Sequence, residues 1–293
     1  MDQEIKEKYL KAGSIAKEVR EASTTIVKPG IRLLEIAEQL ESMIRAKGGE
    51  LAFPVNISIN DEAAHYTPFK NDPKVIPEGA VVKIDLGVHI DGYVADTAHT
   101  LVFDDMYRDL EKASRQALEE ALKLCTPQRS IDEISTVIEQ TITSLGFKPI
   151  HNLTGHGLEP YVQHAYPSIP NVNMKTGVQL EEGMVVALEP FATTGNGAIK
   201  ESEPVLIFSL QELGPVRNPD ARMILSFAQP RQSLPFAERW IPIASRVKTR
   251  LALRELVQRG LLAEYPVLKE VAGGIVSQTE HTVLVADQPI ITT

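Results

Sequence analysis

The amino-acid sequence contains an internal repeat, and this feature restricts the possible folds more than any other. Two long segments share their pattern of apolar residues, and two short acidic segments have counterparts far along the chain. The aligned pairs are KPGIRLLEIAEQLESMIRAKGG with TPQRSIDEISTVIEQTITSLGF, EGAVVKID (78–85) with EGMVVALE (182–189), and DTAHTLV (96–102) with EHTVLV (280–285). Self-similarity of this kind indicates a repeated structural unit. The sequence therefore predicts an α/β (α+β) domain with two related halves about a pseudo-twofold axis.

Secondary-structure patterns divide the chain into this repeated part and an insertion. Apolar residues recur at helical spacing in six segments, namely 4–25, 33–46, 107–125, 131–145, 220–228 and 245–262. Residues 197–209 are predicted to form a pair of short strands. The segment 216–269 has no counterpart in the first half and is predicted to be an inserted helical, winged-helix-like subdomain. The catalytic domain would then consist of residues 1–215 plus 270–293.

The stretch VKIDLGVHIDGYVADTAHT is predicted to form a β-hairpin with an Asp91-Gly92 turn. In that register Gly87 pairs with Asp96, so Asp85 and Asp96 project from the same face. Two carboxylates in an apolar hairpin repel each other unless a proton or a cation lies between them. The hairpin alone leaves open that one of the two acids faces solvent.

The repeat decides between these possibilities, because it aligns Asp85 with Glu189 and Asp96 with Glu280. Four carboxylates that meet at the axis of an apolar domain need a counter-charge. Oxygen and imidazole ligands suit divalent Mn, Fe, Co or Zn, and four acids suit a pair of ions. His156 lies between two glycines and is the expected histidine ligand.

Two more histidines, His65 and His164, are related by the repeat and are expected to flank the metal pair from opposite sides. That placement suits paired roles around a reacting carbonyl group. His89, His99 and His151 are expected at ordinary surface or core positions. His281 follows a proposed ligand directly, so it should point to the other face of its strand.

Composition excludes several classes of protein. The chain has 293 residues, a net charge of −9 and one cysteine. It has no basic tract interleaved with aromatic residues, no signal peptide and no apolar run of the roughly 20 residues that a membrane span needs. We therefore expect a cytoplasmic protein, monomeric, without a nucleic-acid substrate, a membrane association or a disulfide framework.

The order of Asp85, Asp96, His156, Glu189 and Glu280 resembles the metal-ligand set of the pita-bread (creatinase/aminopeptidase) metallopeptidases, family M24. Within that family it is similar to the type 2 methionine aminopeptidases of the archaeal kind. The matching stretches are AFPVNISIN-DEAAHYTP, KIDLGVHIDGYVADTA, NLTGHGLEPYVQHA, ALEPFATTGNG, LPFAERW and QTEHTVL. The resemblance covers nearly the whole chain and implies a pita-bread fold with an insertion before Glu280.

The resemblance also implies roles for individual residues. Asp85 would bind one metal ion, His156 and Glu189 the other, and Asp96 and Glu280 would bridge both. A metal-bound hydroxide would attack the first peptide carbonyl, and Glu189 would handle the proton. The remaining implied roles are a hydrogen bond from His164 to the tetrahedral oxyanion, a contact of His65 with the scissile nitrogen or the next backbone unit, and a methionine pocket lined by Phe53 and Tyr265.

The implied function is removal of the N-terminal methionine from nascent proteins whose second residue is small, with the ribosome as a candidate partner. Two residues depart from the family pattern. Gln163 stands where an apolar residue is expected and should make the methionine pocket more polar. Tyr166 stands where a glycine is expected and should narrow the entrance or shift the backbone beside His164.

Three other functions agree less well with the sequence. A proline-specific peptidase of the prolidase or aminopeptidase P kind usually has an extra N-terminal domain, whereas here only two helices precede the hairpin. A catalytically silent binding protein of this fold would have lost metal ligands, and this chain keeps all five. A two-metal phosphoesterase would need cationic groups for the phosphate, and no basic cluster accompanies the ligands.

Overall fold

The computed structural model describes residues 1–293 and contains six α-helices. Side chains cap four of them at the N-terminus: those of Asp2, Ser130, Asn218 and Ser245 each accept a backbone N–H of the first turn. None of the helices has both the length and the apolar character needed to cross a membrane. The helices are α1 (Gln3–Ile26), α2 (Leu33–Ala46), α3 (Arg108–Leu122), α4 (Ile131–Ser144), α5 (Pro219–Ala228) and α6 (Arg246–Gln258).

Sixteen strands form three sheets of nine, three and four strands. In chain order they are β1 (Glu50–Leu51), β2 (Asn56–Ile59), β3 (Glu62–Ala64), β4 (Val81–Ile90), β5 (Tyr93–Val102), β6 (Lys148–Pro149), β7 (Thr154–Glu159), β8 (Val162–Pro170), β9 (Val185–Leu188), β10 (Phe191–Thr193), β11 (Ile199–Leu210), β12 (Phe236–Ala237), β13 (Leu262–Glu270), β14 (Val276–Gln278), β15 (Glu280–Leu284) and β16 (Ile290–Ile291).

The nine-stranded sheet shows the predicted two halves. Its main path runs β1-β4-β5-β15-β9-β7-β8, with β2 paired to β4 and β16 paired to β15. The pair β4–β5 and the pair β9–β15 therefore lie on either side of the β5–β15 contact, as the aligned acidic segments require. The prediction of a pseudo-twofold α/β domain is confirmed.

The hairpin register is also as predicted, with Ile90 opposite Tyr93 and Gly87 opposite Asp96. Asp91 and Gly92 both have positive φ, at 50° and 87°, as a tight two-residue hairpin turn requires. This register brings Asp85 and Asp96 to one face of the sheet. The two-residue turn sets this register, so it places both acids on one face without any long-range contact.

Each half of the sheet is covered by its own helical pair. One core cluster of 24 buried residues joins α1 and α2 to the hairpin, and another of 18 joins α3 and α4 to β9 and β15. Cys125 belongs to the second cluster and is fully buried, as expected of a core cysteine. Each large aliphatic side chain in these clusters contributes about 1.5–3 kcal/mol by leaving water. The helical pairs leave one polar face of the sheet uncovered, and the candidate site lies on this face.

The segment between β10 and β14 has a core cluster of its own, although Leu206 and Val267 belong to the cluster of the first half. Helices α5 and α6 pack against β11, β12 and β13 around a cluster of 13 buried residues. The prediction of two short strands over 197–209 is wrong, because β11 is one strand of 12 residues. It stays continuous because β13 pairs with it along its length, with register shifts on both sides of Val205. The division at 216–269 remains a proposal, and β13 also joins β3 of the first half.

Candidate functional site

One cavity of about 240 Å³ opens on the polar face of the sheet. Every residue singled out from the sequence as metal-binding, catalytic or substrate-binding lines it. These residues are Phe53, His65, Asp85, Asp96, His156, Gln163, His164, Glu189, Tyr265 and Glu280. They come from both halves of the repeat and, through Tyr265, from β13.

The acidic side chains lie on the central strands. Asp85 is on β4, Asp96 on β5 and Glu280 at the start of β15, while Glu189 directly follows β9. Asp96, His156 and Glu280 are buried and offer ligand atoms that lie within 4.8 Å of one another. His156 Nε2 lies 3.9 Å from Asp96 Oδ2 and 3.7 Å from Glu189 Oε1. These spacings allow shared coordination of a cation.

The ring of His156 is oriented by its own backbone. Its Nδ1 lies 3.1 Å from the carbonyl oxygen of Gly157, which can only accept, so Nδ1 carries the proton. The lone pair of Nε2 then faces the carboxylates. The flanking glycines are needed because a Cβ at Gly155 would clash with the Ala187 carbonyl, and one at Gly157 with the Tyr166 carbonyl. The histidine is thus presented in the tautomer that a metal ligand requires.

The carboxyl groups are strongly perturbed by burial. Desolvation raises the pKa of Asp85 to about 7. It raises the pKa values of Asp96, Glu189 and Glu280 well above their ordinary range, and the charges of neighbouring carboxylates raise them further. Asp85 Oδ1 and Asp96 Oδ1 are buried without a hydrogen-bond partner. Orphaned acceptors beside a deprotonated imidazole nitrogen are what a divalent-cation site requires, so the residues fit a metal.

Several supporting residues were not found from the sequence. Asn56 Nδ2 donates to Asp85 Oδ2 at 3.3 Å, and Gln278 Nε2 donates to Glu189 Oε2 at 3.4 Å. Thr282 Oγ1 accepts from the backbone N–H of Asp96 at 2.7 Å. The available signals were the cross-strand position of Asn56 opposite Asp85 and the spacing of Gln278 two residues before Glu280. These contacts fix the orientation of the acids.

The two repeat-related histidines both face the cavity. His65 Nδ1 lies 3.1 Å from the carbonyl oxygen of Pro266, so Nδ1 donates and Nε2 is left as an acceptor. The ring of His164 packs edge-on against that of His156, with 4.5 Å between the centroids. Burial lowers the pKa of His65. Desolvation within the cavity, together with the charges of His156 and His65, lowers the pKa of His164, although that residue is exposed to solvent. Both rings are therefore neutral near pH 7.

Gln163 and His164 are neighbours in sequence, yet both face the cavity. The pairing of β7 with β8 shifts register between Gly157 and Glu159, as in a β-bulge, which redirects side chains at this point. Gln163 Nε2 donates to Asp96 Oδ2 at 3.1 Å. Tyr166 is 69% exposed and does not line the cavity, and its expected effect on the entrance or on the backbone beside His164 stays a prediction.

Tyr265 closes the side of the cavity formed by β13. Its ring meets that of His65 edge-on at 5.8 Å, and its hydroxyl lies 3.2 Å from Ser209 Oγ. His281, by contrast, points away from the cavity, as expected, and contacts Arg20 and Thr293. His89, His99 and His151 do not line the cavity either.

A two-halved α/β domain with a buried cluster of carboxylates and a histidine defines a protein with a candidate metal centre. The sequence profile of metallopeptidase family M24 matches residues 7–220, and the chain belongs to this family. It is 48% identical to the methionine aminopeptidase of Archaeoglobus fulgidus over 98% of this chain and 97% of that protein.

Solved structures extend the likeness to the fold. A thermophilic Arx1 superposes with a TM-score of 0.88 at 19% identity, covering 100% of this chain and 91% of the other. A methionine aminopeptidase from Thermotoga maritima superposes with a TM-score of 0.73 at 23% identity, covering 100% and 98%. The pita-bread fold expected from the sequence is thereby confirmed.

Proposed function

We propose that this chain is a metal-dependent aminopeptidase that removes the N-terminal methionine from nascent proteins when the second residue is small. One observation carries the proposal: a buried cluster of acids and a histidine, two further histidines and an aromatic wall share one cavity. The 48% identity to a methionine aminopeptidase over nearly the whole chain supports it. A partly apolar cavity of about 240 Å³ suits a long apolar side chain.

We assign the binding of two divalent ions, with Co, Mn, Fe and Zn as candidates, to five side chains. Asp85 would hold one ion, His156 and Glu189 the other, and Asp96 and Glu280 both. The central strand positions of Asp96 and Glu280 and the unpartnered oxygens of Asp85 and Asp96 support this assignment. When bound, the ions supply Lewis acidity that lowers the pKa of water and stabilises negative charge on the substrate carbonyl oxygen.

His65 is proposed to hold the substrate backbone. Its Nε2 is left as an acceptor by the hydrogen bond from Nδ1 to Pro266, and the lowered pKa keeps the ring neutral. An acceptor at this position can bind the N–H of the scissile bond or of the next backbone unit. Its packing against Tyr265 keeps the ring in place.

Glu189 and His164 are proposed to manage charge at the reacting carbonyl. Glu189, oriented by Gln278, would take a proton from water and return it to the leaving amine. His164, neutral because its pKa is lowered, still carries one N–H that can donate to the developing oxyanion. Glu189, just after β9, and His164, on β8, reach the same cavity from different parts of the sheet, so both can contact one bound carbonyl group.

The test is hydrolysis of short peptides by metal-stripped protein that has been reloaded with Co, Mn, Fe or Zn. Met-Ala-Ser, Leu-Ala-Ser, Met-Trp-Ser and Ala-Pro are compared by measuring kcat/KM. We expect metal-dependent release of methionine, and only from Met-Ala-Ser. Cleavage of Ala-Pro would instead assign the chain to the proline-specific peptidases, and absence of all cleavage in metal-loaded protein would favour a binding protein.

We infer that the partners are the N-termini of nascent chains in the cytoplasm and that a monomer suffices. The five proposed metal ligands and both flanking histidines are supplied by a single chain, so the proposed site needs no residue from a second copy. Ribosome docking is supported by charge: residues 216–269 carry ten basic and four acidic side chains, whereas the whole chain has a net charge of −9. Exposed arginines such as Arg250 and Arg254 on α6 suit RNA phosphates.

Co-sedimentation with ribosomes tests the docking inference. We expect the parent to sediment with ribosomes in a salt-sensitive way and the variant R250E/R254E to bind more weakly while still cleaving free peptides. Equal binding by the parent and this variant would remove α6 from the interface.

A further inference from the structure

Phe53 and Gln163 both line the cavity, and each contacts one member of the same cross-strand pair. The ring of Phe53 lies directly on Gly87, where an added Cβ would overlap Cε1 of the ring. Gly87 faces Asp96 across the hairpin, and Gln163 Nε2 donates to Asp96 Oδ2 at 3.1 Å. Phe53 and Gln163 therefore form adjacent walls of one compartment.

The amide of Gln163 has unused hydrogen-bonding capacity. Its nitrogen carries two hydrogens, and one of them is directed to Asp96. No other protein atom accepts from this nitrogen or donates to Oε1, and the side chain is half-buried against the cavity. The nitrogen end of the amide, and not its oxygen, lies 3.1 Å from Asp96 Oδ2, so one N–H is directed to that carboxyl group. The second N–H is thus an unused donor on a side chain that lines the same cavity as Phe53.

We propose that Gln163 determines which first-residue side chains the cavity accepts, and that its free N–H allows removal of N-terminal methionine sulfoxide as well as methionine. The inference rests on the proposed function and deepens it by naming a second substrate class. The sulfoxide side chain has the same linear shape as methionine, with one added oxygen. It therefore reaches the same compartment.

The energetic argument concerns that added oxygen. A thioether sulfur is a weak acceptor, whereas a sulfoxide oxygen is strongly polar. Burying that oxygen without a hydrogen-bond donor costs free energy. A fully apolar wall would therefore reject the oxidised residue. With the Gln163 N–H present, the oxygen gains a hydrogen bond when it is desolvated.

The reaction itself is unchanged peptide hydrolysis. Water adds across the first peptide bond, the C–N bond breaks, and the products are free methionine sulfoxide and the shortened peptide. The sulfur keeps its oxidation state, so neither an oxidant nor a reductant takes part.

The experiment compares kcat/KM of the metal-loaded protein for Met-Ala-Ser, for Met(O)-Ala-Ser with each sulfoxide epimer, and for norleucine-Ala-Ser. The parent is compared with Gln163→Met, which keeps the length of the side chain and removes the amide, and with Gln163→Leu in case the first variant does not fold. Val162→Ala, a half-buried neighbour outside the cavity, is the matched control.

We expect the parent to cleave the sulfoxide peptide, and the ratio of sulfoxide to methionine cleavage to fall about tenfold in Gln163→Met, on the scale of one buried hydrogen bond. The ratio of norleucine to methionine cleavage should not fall, and Val162→Ala should keep both parental ratios. Ratios cancel any general loss of activity caused by a less well oriented Asp96.

Two failures are distinguishable. If the parent leaves every peptide intact, the proposed function fails and the inference fails with it. If the parent cleaves Met-Ala-Ser but neither sulfoxide epimer, or if the Gln163 variants keep the parental ratio, the inference is overturned and the proposed function stands.

Discussion

His156 and His65 each donate one ring N–H to a backbone carbonyl, and this fixes which nitrogen remains for chemistry. In His156 the free Nε2 faces carboxylates, and in His65 it faces the open cavity. Residue types and spacing identified both histidines in the sequence, because the repeat and the flanking glycines mark them. Their tautomers could not be predicted, because these depend on carbonyl groups whose positions only the fold sets.

His164 should be separable from metal binding. We expect His164→Ala to retain bound metal and to lose turnover by roughly a hundredfold or more, on the scale seen when one oxyanion donor is removed. Metal content by elemental analysis and kcat for Met-Ala-Ser provide the two readings. Near-parental kcat in the variant would show that the proposed role of His164 is wrong.

Supporting residues were harder to predict than ligands. Asn56 and Gln278 are uncharged and belong to no spacing pattern, although each orients a carboxylate. Gln163 was noticed only as a departure from a family pattern, and its bond to Asp96 depends on a bulge between β7 and β8. A bulge adds a residue to one strand without a sequence signature, so the side-chain direction after it could not be inferred.

Between elements, α1 packs on β5 through polar side chains. His99 Nε2 lies 2.8 Å from Ser23 Oγ, and burial together with the charge of Arg20 lowers the pKa of His99 from 6.5 to about 4. Between pH 6.5 and pH 4, the unfolded chain therefore binds more protons at His99 than the folded chain does. The contribution of His99 to the free energy of unfolding is complete above pH 6.5 and is lost as the pH falls towards 4.

We expect His99→Gln to flatten this dependence. The free energy of unfolding should fall between pH 7 and pH 4 by about 3 kcal/mol less in the variant than in the parent, because a shift of one pKa unit is worth about 1.4 kcal/mol. Urea unfolding of the parent and of the variant, each at pH 7 and at pH 4, gives the four free energies of unfolding that are compared. Parallel pH profiles for the two proteins would exclude His99 as the source.

The stretch LPFAERW, within the proposed insertion, contacts the first half of the chain. Arg239 forms an ion pair with Glu41 of α2, both side chains being at most 4% exposed, and Trp240 Nε1 donates to Glu41 Oε2 at 2.9 Å. Arg231 donates to the carbonyl of Leu51 at 2.7 Å, two residues before Phe53. The proposed insertion therefore also fixes the segment that carries Phe53, a residue of the cavity wall.

Removing one partner of this buried ion pair should lower the free energy of unfolding more than removing both partners. We expect Arg239→Met to lower the free energy of unfolding by about 3–5 kcal/mol, because the Glu41 carboxylate stays buried without its cation. Adding Glu41→Gln should recover part of that loss. Urea unfolding of the two single variants and the double variant forms the cycle; strictly additive losses would mean that the pair is not coupled.

The whole molecule has to be folded before the site exists, because each half contributes two of the four acids. The repeat made this convergence predictable, since it aligned Asp85 with Glu189 and Asp96 with Glu280. The route of the inserted chain was not predictable. The long strand β11 precedes the proposed insertion, and it is continuous because β13, which begins more than fifty residues later, returns beside it. Non-local pairing of this kind leaves no local signal.

The most direct test of the central claim is a titration of metal-stripped protein with Co or Mn, in which bound metal and hydrolysis of Met-Ala-Ser are followed together. We expect no hydrolysis without metal, saturation of activity as up to two ions bind per chain, and loss of both binding and activity in Asp96→Asn. Full activity in the presence of a strong chelator, or parental metal binding and turnover by Asp96→Asn, would contradict the account.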